Sequence, residues 1–140
     1  MTRCIVLLCC VFSMSLAGLA QTEPVLTSAN VPKYPALACQ ARVEGTVKLS
    51  FTLPANSTEP AKVEVVSGHP MLKGEATENV KTWRFDNPYA VERKYETTFN
   101  YRLSGVEVLG TKKLTVTFVD SFRHVEVLTD VSPVTINNAY

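Results

Sequence analysis

The stretch Thr46 to Leu53 constrains this chain more than any other. Val47, Leu49, Phe51 and Leu53 alternate without a break with Thr46, Lys48, Ser50 and Thr52. A period of two puts one set on each face of a β-strand. One apolar face and one polar face mark an antiparallel sheet covered on one side only. The rest of the chain must therefore supply pairing strands and a cover for the apolar face.

The flanking patterns supply both. Val31-Pro32-Lys33-Tyr34-Pro35 forces an extended approach, and Pro35 is suited to the first position of a helix. Pro35 to Arg42 reads as a short helix with Leu37, Ala38 and Ala41 inward, and Gly45 marks the exit into the strand. After a polar turn from Pro54 to Pro60, Ala61 to Val66 is the return strand, with Val63 and Val65 inward. Ser67-Gly68-His69-Pro70 turns into a second helix. Leu72, Ala76, Val80 and Trp83 recur at helical steps and form its apolar face. Glu92 to Leu103 is a third strand, with Tyr95, Thr97, Phe99, Tyr101 and Leu103 on one face and Glu96, Thr98, Asn100 and Arg102 on the other. Lys113 to Val119 and Arg123 to Thr129 alternate around an Asp120-Ser121 turn, which reads as an added β-hairpin. The expected class is α+β: two short helices on one face of a small antiparallel sheet, plus a C-terminal β-hairpin extension.

Residues 1–20 have the form of a cleavable leader. Arg3 gives a positive start, an apolar run follows, and Ala17-Gly18-Leu19-Ala20 places small residues before a cut ahead of Gln21. The alternative is an inner-membrane anchor formed by residues 4–20, whose length is near the lower limit for a spanning helix. Cleavage implies a periplasmic or secreted protein. Residues 21–30 are polar without a period and read as a short tether, followed by a domain over 31–104 and the extension over 105–140.

The whole chain has 14 Lys+Arg against 13 Asp+Glu. Losing Arg3 with the leader leaves 14 − 1 = 13 of each sign, so no basic stripe points to nucleic acid. Cys4, Cys9 and Cys10 would leave as well, and Cys39 alone cannot build a disulfide framework or a Cys-rich metal site. A buried Cys39 is the ordinary reading. Cys39, or the terminal hairpin, also offers a route to a homodimer.

Nothing in the sequence assembles a catalytic set. Ser67 and His69 lie two apart in a turn, with no third group to orient the base. His124 shares an outward strand face with Glu126. No set of metal ligands and no phosphate-cradling glycine loop is present. The expectation is a non-enzyme without cofactor, metal or small-molecule substrate, and with a protein partner. An open sheet edge, with its unpaired N–H and C=O groups, is the best place for that partner.

The ordered markers Tyr34-Pro35, Glu44-Gly45-Thr46-Val47, Val63 to Gly68, Leu72 with Ala76, and Trp83-Arg84-Phe85 with Pro88 resemble the C-terminal domain of the TonB family. The resemblance covers about half of the chain. It implies work in a bacterial periplasm. In energy-transducing members the last strand of the domain pairs with an extended segment, the TonB box, of an outer-membrane receptor, and the stretch before Tyr-Pro adds contacts. The counterparts here are Tyr95, Glu96, Thr97, Thr98, Phe99, Asn100, Tyr101 and Arg102, with Val31 and Pro32.

The chain departs from that family in three ways. It has no long Pro-rich spacer, Ala55-Asn56-Ser57-Thr58 replaces the usual Asp-Gly turn, and residues 105–140 continue past the usual end. The expectation is a stand-alone exported module that binds a protein segment by strand addition at Tyr95–Arg102. The alternative is a soluble TonB-like component of outer-membrane receptor energy transduction. An added hairpin lying against that strand would block the strand-addition mode there.

Overall fold

A computed structural model of the chain describes residues 23–105 and 113–130. The elements run β1 (Val25–Ser28), α1 (Ala36–Gln40), β2 (Gly45–Leu53), β3 (Ala61–Ser67), α2 (Pro70–Lys81), β4 (Arg84–Asp86), β5 (Arg93–Ser104), β6 (Leu114–Val119) and β7 (His124–Asp130). The leader over 1–20 and the end of the extension over 131–140 lie outside the described residues.

The class is α+β. β2 pairs with β5 in an unbroken antiparallel register from Gly45↔Tyr101 to Leu53↔Arg93. This register sets Val47, Leu49 and Phe51 opposite Phe99, Thr97 and Tyr95, so the apolar rows share a face. α2 packs over β2 and β3, and α1 packs against α2. Leu72, Ala76, Val80 and Trp83 are fully buried, as their spacing predicts. Trp83 stacks on Phe99 at 5.9 Å and meets Phe51 edge to face at 5.9 Å. Full burial of side chains this large contributes about 1.5–3 kcal/mol each.

Two small residues keep the layers close. Gly68 has φ +146°, and a Cβ there would lie 2.9 Å from the Val47 side chain. Ala38, fully buried, brings α1 close to the core. Leu37 departs from expectation: it is 70% exposed, while Ala38 and Cys39 take the inward positions. The helix spans only Ala36–Gln40, too short for a period to fix its face.

The N-terminal stretch also departs from expectation. Residues 21–30 read as a tether, yet Val25–Ser28 forms β1, antiparallel to β4. Leu26 packs against the core, Thr27 Oγ1 donates to Arg84 O at 3.0 Å, and the buried ring of Pro24 adds apolar cover. Two strands this short show no alternation in sequence, and their contact joins distant parts of the chain.

The largest correction concerns sheet order. The main sheet runs β3-β2-β5-β7-β6. β6 and β7 form the expected antiparallel hairpin, turning at Asp120 and Ser121, both with positive φ. However, β7 pairs parallel to β5, from Thr98↔His124 to Ser104↔Asp130. The sheet is therefore mixed, and β7 belongs to its interior. Val125 and Val127 fall in phase with Phe99 and Tyr101, and all four are fully buried. Phe122, at the start of this return, is also fully buried against Phe51, Phe85 and Tyr95.

Candidate functional site

The segment Tyr95–Arg102 does not form an edge. It lies within β5, with β2 paired along Tyr95–Tyr101 on one side and β7 paired from Thr98 onward on the other, so Thr98 to Tyr101 already serve two ladders. The expected strand-addition site is closed while β7 is in place. The cause is the matched alternation of β5 and β7, which buries an apolar row from each strand when they pair. Individual side chains follow from this. Phe99 and Tyr101 are core, Thr97 Oγ1 donates to Phe122 O at 2.6 Å, and Tyr95 is partly buried among Phe51 and Phe122. Glu96 and Arg102 are exposed on the polar face, with Thr98 and Asn100 half-buried between them.

Val31 and Pro32 occupy a different place, between Asn30, which bonds to Asn79 and Thr82 at the end of α2, and Lys33, whose N donates to Glu75 Oε1 in its middle. Val31 is 64% exposed and Pro32 is buried. Their approach is held by Asn79, whose Nδ2 donates to Asn30 O at 2.8 Å while its Oδ1 accepts from Trp83 Nε1 at 3.0 Å. The sequence reading missed Asn79. Its only signal is a polar residue one helical turn before an inward-facing tryptophan.

The Tyr-Pro and Glu-Gly markers serve structure. The Tyr34 hydroxyl donates to Val43 O at 2.6 Å, and its ring meets Tyr101 edge to face at 5.4 Å. Burial, with Glu44 nearby, pushes the Tyr34 hydroxyl pKa up to about 12. Burial raises that of Tyr101 as well. Glu44 Oε1 accepts from Leu103 N, tying the entry of β2 to the end of β5.

The candidate chemistry of the sequence is absorbed in the same way. His69 caps α2, its Nδ1 accepting from Met71 N at 3.2 Å. His124 Nε2 lies 3.8 Å from Glu126 Oε1 on the outer face. Among the described residues no group of three or more His, Cys, Asp or Glu could hold a metal ion. An open polar groove is lined by Glu23, Tyr89, Arg93, Tyr95 and Arg123. Its cations are engaged: Arg93 lies 3.8 Å over the Tyr89 ring, and Arg123 makes a two-point pair with Glu23. That pair holds the Glu23 carboxyl below the usual carboxylate range.

Among the described residues, the edges of the sheet are β3 and β6. They differ in kind. β3 carries Lys62 and Glu64, has Lys62 at φ 48° as its second residue, and pairs with β2 through two irregular steps. Charges and bulges of this sort blunt an edge against further pairing. β6 reads Leu-Thr-Val-Thr-Phe-Val, with no charge, proline or glycine, and its ladder to β7 is regular. All of its residues except Val116 are exposed. Among the described residues, no strand pairs with its outer side. Leu114, Val116 and Phe118 continue the core face outward, and Phe118 remains 37% exposed although its ring reaches Trp83 at 6.2 Å.

The model of the family described as Gram-negative bacterial TonB protein C-terminal matches residues 30–103. Among solved structures, the chain is similar to that reported as the solution NMR structure of the Pseudomonas aeruginosa TonB CTD. The identity is 27%, over 59% of this chain and 88% of that chain, with a TM-score of 0.48. No curated protein matches the chain. The family match ends within the last residues of β5, so β6 and β7 lie beyond it.

Proposed function

The chain belongs to the family of Gram-negative bacterial TonB protein C-terminal domains, and from that membership we propose that it is a protein-binding module of the periplasm that receives an extended strand at β6. The observation that carries this reading is the position of β7. It fills the place beside β5 that the family uses for a partner strand, and it does so with its own chain. The receiving edge moves outward by one hairpin, to a strand whose outer side pairs with no strand among the described residues and which carries no guarding charge. Main-chain hydrogen bonds supply affinity in strand addition, and alternating side chains supply specificity. The apolar row Leu114, Val116 and Phe118 suits a partner with apolar residues at every second position.

The test is photo-crosslinking in the bacterial envelope, with the reactive residue placed at Thr117 on β6, at Glu64 on β3 or at Asn100 on β5. A discrete adduct from Thr117 alone is expected. An adduct with a receptor from Asn100 would mean that β7 leaves the sheet and that the chain works as a soluble TonB-like component. No adduct from Thr117 would remove strand addition at β6.

A further inference from the structure

The side chains of β6 narrow the choice of partner. In the ladder to β7, Leu114, Val116 and Phe118 stand opposite Thr129, Val127 and Val125 on the core face. Thr115 and Thr117 stand opposite Leu128 and Glu126 on the other. Read outward from Val116, the strand is nearly symmetric: Thr on each side, then Leu on one side and Phe on the other.

A second copy can use that symmetry. Antiparallel pairing of two identical edges requires a two-fold axis perpendicular to the sheet, which leaves each face on its own side. Side chains directly opposite must share a face, so only a register centred on a residue is allowed. Centred on Val116, the pairing opposes Leu114 with Phe118 of the second copy, Thr115 with Thr117, and Val116 with Val116. Every apolar residue from Leu114 to Phe118 then meets an apolar one, and every threonine meets a threonine. Lys113 falls opposite Val119, so no like charges meet. Centring on Thr117 would instead set Leu114 against Asp120. Centring on Thr115 would set Lys113 against Thr117 and leave Phe118 beyond the other strand's β6.

We propose that this chain pairs with a second copy of itself through β6, antiparallel about Val116, so that two five-stranded sheets form one of ten strands. This rests on strand addition at β6 and names the strand that is added. The arrangement is isologous and closed, so it ends at two copies. It brings the Leu114 side chain of one copy against the partly exposed Phe118 ring of the other. The helices of both copies lie on the same face of the joined sheet.

The experiment uses the whole exported chain with Cys39→Ala, so that an introduced thiol stands alone. Val116→Cys places two thiols directly opposite across the axis, where cross-strand Cβ atoms lie about 4.5–5.5 Å apart, close to what a disulfide spans. Mild oxidation is expected to give a covalent dimer. The same change at Glu64 on the β3 edge should not. Sedimentation equilibrium of the unmodified chain should show a monomer–dimer exchange. Val116→Lys and, separately, Thr117→Lys should each weaken it at least about tenfold, because a lysine guards an edge against pairing and, in Val116→Lys, the two lysines also meet at the axis. Circular dichroism confirms that each variant folds.

A dimer insensitive to both lysine variants, with no Val116→Cys disulfide, would place self-association elsewhere and overturn the proposal. A monomer at all concentrations would also overturn it. In that case a Thr117 photo-adduct with another envelope protein would leave strand addition at β6 standing, and its absence would remove both readings. A chain that dimerises only when cut after Asp130 would show that residues 131–140 hold the edge, which overturns the proposal for the full chain.

Discussion

The indole Nε1 of Trp83 donates a hydrogen bond to Asn79 Oδ1 at 3.0 Å, one helical turn back and out of contact with water. An indole nitrogen can only donate, so this bond fixes the orientation of the amide and aims Asn79 Nδ2 at Asn30 O. One side chain thereby positions the central aromatic ring and the segment that leads into α1. Asn79→Leu keeps the branched shape and heavy-atom count and leaves both partner groups unpaired, at an expected cost of about 2–4 kcal/mol. Trp83→Phe removes the donor. In a double-mutant cycle the two changes should couple by about 1 kcal/mol or more. Urea unfolding measures this, and strictly additive effects would mean that the bond does not hold the corner together.

Phe122 decides whether the hairpin is a cover or part of the core. It is fully buried, and its rings of contact are Phe51, Phe85 and Tyr95. Phe122→Ala is expected to cost about 3–5 kcal/mol. Thr97→Val, which removes the donor to Phe122 O, should cost about 1 kcal/mol. A loss below 1 kcal/mol for Phe122→Ala, measured by chemical denaturation, would show that the hairpin opens easily and that β5 can become an edge.

Much of this architecture is legible in sequence because its signals are local and periodic. The alternation of Val47 to Leu53 and the helical steps from Leu72 to Trp83 each predict a face, and each face is buried. β1 and β4 are too short to show a period, and they meet through a long-range contact. The path of β7 is harder to read for a different reason. An alternating pair around Asp120-Ser121 reads as a hairpin whichever of its strands meets the sheet. Nothing local distinguishes β6 beside β5 from β7 beside β5. The choice lies in the greater burial of Val125 and Val127 and in the anchoring of Phe122. For that reason Tyr95–Arg102 reads as a site from sequence and lies in the interior of the sheet in structure.

Two glycines should respond to alanine with opposite sign. Gly68 has φ +146°, and a Cβ there would meet the Val47 side chain at 2.9 Å and its Cα at 3.0 Å. Gly68→Ala combines backbone strain with a clash against β2, which is paired on both sides, and about 2–3 kcal/mol should be lost. Gly74 sits inside α2 with nothing within 4 Å of an added Cβ. Gly74→Ala should gain about 0.5–1 kcal/mol from helix propensity. Thermal melts of the two variants should move in opposite directions.

Tyr34 makes the stability of the domain sensitive to alkali. Its hydroxyl is buried, faces Glu44 and Tyr101, and donates to Val43 O, so the neutral form is favoured in the folded state and the pKa rises to about 12. An unfolded tyrosine titrates near 10. The unfolded chain therefore releases its proton first, and the contribution of Tyr34 is complete below about pH 10 and drains away as pH rises toward 12. Tyr101, whose hydroxyl burial also raises, adds to the same slope. Tyr34→Phe loses the bond to Val43 O, which should cost about 1 kcal/mol at neutral pH. It should also make the decline above pH 10 shallower than in the unmodified chain. Unfolding midpoints taken from pH 7 to pH 11.5 would show this as two curves that converge. Parallel curves would mean that the Tyr34 hydroxyl titrates alike in both states and that its burial against Val43 is not maintained in solution.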